Sequence, residues 1–173
     1  NFETEFSKPP FQYWLLQISY AIFGVNEWAV RLPSFIMAIG LLFLTYSFGK
    51  HIRSSNAGLW ACLALCSNPG FYGMMRDARM DLTLTFFITL SIYGFFIYTW
   101  NGVAPTNKTP PTPPSPTRGE GKGGGKGFLY FYIGMAGAAL TKGPIGLIFP
   151  VSIIFMFILM RKDWGSFKKL KSF

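Results

Sequence analysis

The chain has very little with which to hold a transition metal or to build a disulfide framework. It contains two cysteines, Cys62 and Cys66, and a single histidine, His51. The cysteines stand four apart inside an apolar run, on one helix face, with no CxxC pair and no histidine beside them. They read as small buried apolar residues. His51 lies between Lys50 and Arg53 and reads as a loop residue rather than a ligand or a general base. Charge is also scarce: Asp, Glu, Lys and Arg make up 13% of the residues and hydrophobic types 50%, too greasy a balance for an ordinary soluble domain. No GxxxxGK[ST] spacing occurs and no buried strand precedes the Gly-rich run at 121–127, which excludes a phosphate-binding P-loop. The chain opens on Asn1, without an initiator Met or a signal-peptide pattern, and is expected to be an internal piece of a longer protein.

What the sequence has in quantity is aromatic and aliphatic residues in runs. Aromatics account for 18% of the chain, which suits membrane helices with interfacial belts. Residues 1–10 are polar and close on Lys8-Pro9-Pro10, an extended lead-in. Phe11 to Phe23 is apolar and aromatic but broken by Gln12, Gln17 and Ser19, too short and polar to span, and reads as a helix lying at the interface. Gly24 ends it, and Asn26 can cap the next helix with Glu27 in its first turn. Five spans follow, near residues 32–49, 57–75 (bent at Pro69-Gly70), 82–100, 128–141 and 144–160. Trp100 anchors the third at an interface, and Thr141-Lys142-Gly143-Pro144 separates the last two. The expected fold class is therefore all-α, a polytopic membrane helix bundle.

If each run crosses once, the charges sort themselves. One side receives Lys50, Arg53, Lys108, Arg118, Lys122, Lys126, Arg161, Lys162, Lys168, Lys169 and Lys171, with Glu120 and Asp163. The other receives Lys8, Arg31, Arg76, Arg79 and Lys142, balanced by Glu3, Glu5, Glu27, Asp77 and Asp81. The positive-inside rule assigns the first group to the cytoplasm, and dropping one span would scramble the separation. An orientation signal of this kind accounts for the formal charge of +9 better than a nucleic-acid footprint, and no nucleic-acid partner is expected.

The domain organisation follows: an outer-face motif segment, interfacial helix and three spans over residues 1–102, a loop over 103–127, and two spans with a basic tail over 128–173. The loop is Pro-, Thr- and Gly-rich and is expected to be disordered and cytoplasmic, so its Asn107-Lys108-Thr109 sequon is accidental. Its Ser115-Pro116-Thr117-Arg118-Gly119-Glu120-Gly121 run resembles translated interspersed bacterial repeats, an insertion with no role of its own.

The charge-balanced face concentrates in Arg76-Asp77-Ala78-Arg79-Met80-Asp81, between two apolar runs. Charge at the edge of hydrocarbon persists where it is paired, solvated or used. Fixed cations beside carboxylates suit an anionic ligand whose other half is lipid, such as a polyprenyl phosphate: cations bind the phosphate, and a carboxylate holds a metal or activates an acceptor hydroxyl. Charge pairing at helix ends and interfacial snorkelling explain the same residues without a ligand.

Specific motifs separate these readings. Ser7-Lys8-Pro9-Pro10-Phe11-Gln12-Tyr13-Trp14-Leu15 and Phe23-Gly24-Val25-Asn26-Glu27-Trp28-Ala29-Val30-Arg31-Leu32-Pro33-Ser34, followed by Arg79-Met80-Asp81 and Thr141-Lys142-Gly143-Pro144, resemble the lipid-carrier-dependent glycosyltransferases. That family of GT-C fold includes the bacterial aminoarabinose transferases of lipid A and the protein O-mannosyltransferases. The resemblance implies that Lys8 and Lys142 lie near the donor phosphate and that Asp81 belongs to the active site and is a candidate metal ligand. Arg79 and Arg31 are further candidate substrate contacts, Arg31 with a competing role in orienting the chain into its span. It implies a polyprenyl-phosphate-linked sugar donor, a lipid or protein acceptor, a divalent metal as the one candidate cofactor and no nucleotide. The setting it implies is the bacterial inner membrane with an extracytoplasmic active face. Two departures stand out. Ser7 occupies a position commonly acidic, and the family's chief catalytic carboxylate, in an Asp-Glu pair, is expected upstream of Asn1. The piece alone is therefore expected to be inactive.

A truncated, non-catalytic remnant and a transporter or lipid-binding membrane protein are the alternatives. An upstream Asp-Glu loop would separate enzyme from remnant. An internal repeat of the span pattern would favour a transporter, and this sequence shows none.

Overall fold

The computed structural model describes residues 10–77, 80–99 and 124–161, without the side chains of 124, 158, 160 and 161. Among these residues it is all helical: α1 (Phe11–Phe23), α2 (Glu27–Ile52), α3 (Ser55–Cys66), α4 (Pro69–Arg76), α5 (Met80–Thr99), α6 (Gly124–Lys142) and α7 (Pro144–Arg161). The expected lead-in, most of the 103–127 loop and the basic tail lie outside the described residues.

Local chemistry sets most of the boundaries. Gly24 takes φ 73°, a left-handed conformation that stops α1 at little cost without a Cβ. The Asn26 side chain accepts from the Ala29 N–H at 2.8 Å, as expected of a cap, and Glu27 follows in the first turn. The second expected span is not one bent helix. It breaks at Ser67-Asn68, just before the anticipated bend, because Pro69 takes the first position of α4 and drives Asn68 into an extended conformation. His51, expected in a loop, is in the last turn of α2, where its Nδ1 lies 2.8 Å from the Ser47 carbonyl and 3.1 Å from the Tyr93 hydroxyl. Cys66 is exposed rather than buried, while the half-buried Cys62 donates to the Leu42 carbonyl at 3.2 Å.

Helix α5 is the axis. It supplies Leu82 to a cluster with Ala38, Leu41 and Phe71, Leu84 and Phe87 to one with Ala138, and Phe95 to one with Ile154. Contacts from Leu82 beside Ala38 to Tyr93 beside His51 make α2 and α5 parallel. Contacts from Asp81 beside Lys142 to Gly94 beside Gly127 make α5 and α6 antiparallel. The α5–α6 seam is built from small residues that let two backbones approach closely, as membrane helices do.

The helix surfaces are inverted relative to a water-soluble protein. On α1, Gln12 and Ser19 are buried, while Trp14, Ile18 and Ile22 are exposed. Exposed apolar side chains also cover α7. Such a surface needs lipid as its solvent. Helices α2 and α5 are each long and apolar enough to cross a membrane, and the chain is a multi-pass membrane bundle. At 1.5 Å per residue, the 19 residues of α6 and 18 of α7 rise about 27–29 Å, close to the hydrocarbon thickness. The charges separate as expected among the described residues. Lys50, Arg53, Lys126 and Arg161 fall at one end of the bundle, and Glu27, Arg31, Arg76, Asp77, Asp81 and Lys142 at the other.

Candidate functional site

The second of these ends is where the motif residues gather. Asp81 lies in the first turn of α5 and Lys142 in the last turn of α6, each where its charge complements the helix dipole. Antiparallel packing brings them together, and Lys142 Nζ donates to Asp81 Oδ1 at 2.5 Å. The side chains are 39% and 41% exposed, so the pair is held by the bundle yet open to a ligand.

The Thr-Lys-Gly-Pro motif is also a piece of architecture. The buried Thr141 hydroxyl donates to the Gly137 carbonyl at 2.7 Å. Gly143, at φ 65°, reverses the chain with its N–H on the Ala139 carbonyl at 2.7 Å, and Pro144 starts α7. Lys142 is thus fixed between a buried threonine and a tight turn, with only its side chain free to choose a partner.

Of the other expected contacts, Arg31 is drawn to Glu27 on its own helix, at 3.8 Å. Ala38 shares a buried cluster with Leu82, so α2 continues past Met80, the first residue of α5, by about nine residues back to Glu27, roughly 13 Å. Arg31 sits on this overhang rather than beside Asp81. Lys8 and Arg79 lie outside the described residues. Arg76 lies over the Tyr72 ring, 5.9 Å from its centroid.

The sequence reading missed Gln12 and Thr83. Helix α1 runs from the first half of α5, where Phe11 meets Phe87 edge-on at 5.3 Å, to the start of α2, where the Ser19 hydroxyl donates to the Ala29 carbonyl at 2.6 Å. The Thr83 hydroxyl donates to Gln12 Oε1 at 3.2 Å, and both residues are buried. The signal available was a glutamine in an apolar run just after Lys-Pro-Pro, which the reading of α1 as a helix lying at the interface absorbed.

Among the described residues no three His, Cys, Asp or Glu side chains converge. Asp81 instead faces an ammonium, and any metal there would need ligands from outside these residues. An ammonium beside a carboxylate at a lipid-exposed bundle end can hold an anionic headgroup and stabilise charge growing on it.

Residues 7–102 match the family described as dolichyl-phosphate-mannose-protein mannosyltransferase. An uncharacterized protein of Aquifex aeolicus (strain VF5) is 32% identical over 164 residues, covering 93% of this chain and 28% of that protein. The undecaprenyl phosphate-alpha-4-amino-4-deoxy-L-arabinose arabinosyl transferase of Wigglesworthia glossinidia brevipalpis is 28% identical over 158 residues, 91% of this chain and 25% of that enzyme. The crystal structure of ArnT from Cupriavidus metallidurans bound to undecaprenyl phosphate superposes with a TM-score of 0.77 at 21% identity, covering 94% of this chain and 27% of that one. The fold is therefore that of the polytopic GT-C enzymes. The chain spans between a quarter and a third of the length of these relatives.

Proposed function

Because the chain belongs to the dolichyl-phosphate-mannose-protein mannosyltransferase family, we propose that it is the part of a membrane glycosyltransferase that receives a polyprenyl-phosphate-linked sugar. The sugar passes to a lipid or protein acceptor on the outer face of a bacterial plasma membrane. The observation that carries this reading is the half-exposed Asp81–Lys142 contact where α5 and α6 end together. One relative is named for an undecaprenyl phosphate donor and the structural neighbour holds undecaprenyl phosphate, so an undecaprenyl carrier is the first donor to test.

In this reading the donor phosphate competes with Asp81 for the Lys142 ammonium, which has three N–H donors and spends one on the carboxylate. As the sugar–oxygen bond breaks, charge collects on the departing phosphate, and Lys142 stabilises it in place without reorganising. Asp81 keeps the ammonium aimed before the donor arrives. The base that takes the acceptor's proton is expected from the upstream Asp-Glu pair. A divalent ion, if the full protein supplies the remaining ligands, would neutralise the same phosphate.

Lys142→Gln in the full-length protein is expected to raise the donor KM about tenfold or more, the range of a charge-assisted hydrogen bond, with Lys142→Arg retaining part of the affinity. Unchanged donor KM in Lys142→Gln would remove the lysine from the site. The outer-face assignment has its own check in a Cys62→Ala/Cys66→Ala background. A membrane-impermeant maleimide should label Val25→Cys, in the exposed turn after Gly24, from the extracytoplasmic side and Lys50→Cys from the cytoplasmic side. Reversed labelling would overturn the orientation.

A further inference from the structure

Of the three buried side-chain polar atoms that lack a hydrogen-bond partner among the described residues, Gln12 Nε2 and Ser34 Oγ come from different helices toward the start of α5, and Ser91 Oγ lies further along α5. Gln12 is 3% exposed, and its Oε1 is taken by the Thr83 hydroxyl. Oε1 and Nε2 diverge from the carboxamide carbon, so with the oxygen turned to Thr83 the NH2 is directed elsewhere, and it has no partner among the described residues. A buried donor left this way carries its full desolvation penalty, which Leu or Met at the same place would avoid.

The surroundings point to what would use it. Phe11, next to Gln12, packs against the cluster that contains Ala138. Ala138 and Lys142 are four apart on α6 and share a face. The first turn of α1 therefore sits against the same end of the α5–α6 pair as the Asp81–Lys142 contact. Ser34 lies one turn before Ala38, which packs beside Leu82 at the start of α5. A buried neutral donor at the same end of the bundle as a half-exposed ammonium suits an anion with several acceptor oxygens, since the amide adds a hydrogen bond without adding charge.

We propose that the Gln12 carboxamide donates to an oxygen of the lipid-carried phosphate, alongside Lys142, with Thr83 as the positioning residue that aims it. This rests on the proposed function above. An apolar isostere relieves the buried amide in either case, and only for a ligand contact does it also cost phosphate affinity. The test is the affinity of the full-length protein in detergent for undecaprenyl phosphate, with undecaprenol as the phosphate-free control. Gln12→Met is expected to weaken undecaprenyl phosphate binding about tenfold, to leave undecaprenol binding unchanged, and to keep or raise the melting temperature. Thr83→Val, which removes the aim but not the donor, is expected to weaken it severalfold and answers the same question should Gln12→Met fail to fold. Equal affinity of wild type and both variants for undecaprenyl phosphate, or equal losses for the phosphate and the alcohol, would overturn the proposal. A wild type that does not distinguish the phosphate from the alcohol would overturn the functional reading itself.

Discussion

Asp81→Asn in the full-length protein is expected to lower sugar transfer by about 100-fold or more, the range seen when one preorganised electrostatic group is removed, with membrane insertion unchanged. The substitution keeps the shape of the side chain at the start of α5 and leaves an oxygen within reach of Lys142. It removes the charge that holds the ammonium in one place. It also removes a competitor, because the carboxylate and the donor phosphate want the same N–H groups. The loss should therefore appear in kcat, with donor KM unchanged or lowered, opposite in sign to the KM increase expected for Lys142→Gln. Steady-state kinetics on both variants separates the roles. Wild-type transfer by Asp81→Asn would discard the site. A raised KM with normal kcat would make Asp81 a binding residue only.

Charge sorting put Asp81 and Lys142 on one face and the motif resemblance put them in one site, but their direct pairing was not legible, because they are sixty-one residues apart and no local pattern pairs them. Apolar runs and charge did define the two helices whose ends meet. Local rules succeeded where a boundary is chemically local, as at Gly24, the Asn26 cap and the Gly143-Pro144 turn. They failed where tertiary contact decides. Gly124–Gly127, with the poor helix propensity of glycine, reads as loop, yet it forms the first turn of α6 because Gly127 fits against Gly94 and Tyr98 of α5. His51 reads as loop from its basic neighbours, yet it stays helical in contact with Tyr93, forty-two residues away. The interior of the site was hidden for the same reason, since the Gln12–Thr83 contact joins residues seventy-one apart. Helix α1 added a second difficulty: its polar residues were read as the mark of a helix lying at the interface, whereas Gln12 and Ser19 turn inward against the bundle.

The same seam that assembles the site makes it fragile. A Cβ at Gly134 would lie 2.5 Å from the Ser91 nitrogen and 2.7 Å from the Phe87 carbonyl oxygen, both backbone atoms of α5. No rotamer change relieves such a clash, so Gly134→Ala must push α5 and α6 apart, and Gly134→Leu must do so further. Overpacking of this kind costs about 1–3 kcal/mol, and it falls on the helix pair that carries Asp81 and Lys142. Gly134→Leu is expected to lower the melting temperature of the full-length protein and abolish transfer together. The control is Gly73→Ala on the exposed face of α4, where an added Cβ meets nothing within 4 Å. It should leave activity intact and, by removing a flexible glycine from a helix, raise stability by about 0.5–1 kcal/mol. A Gly134→Leu protein with wild-type melting temperature and transfer would mean that α5 and α6 do not pack closely in the membrane. The Asp81–Lys142 contact would then lose its structural basis.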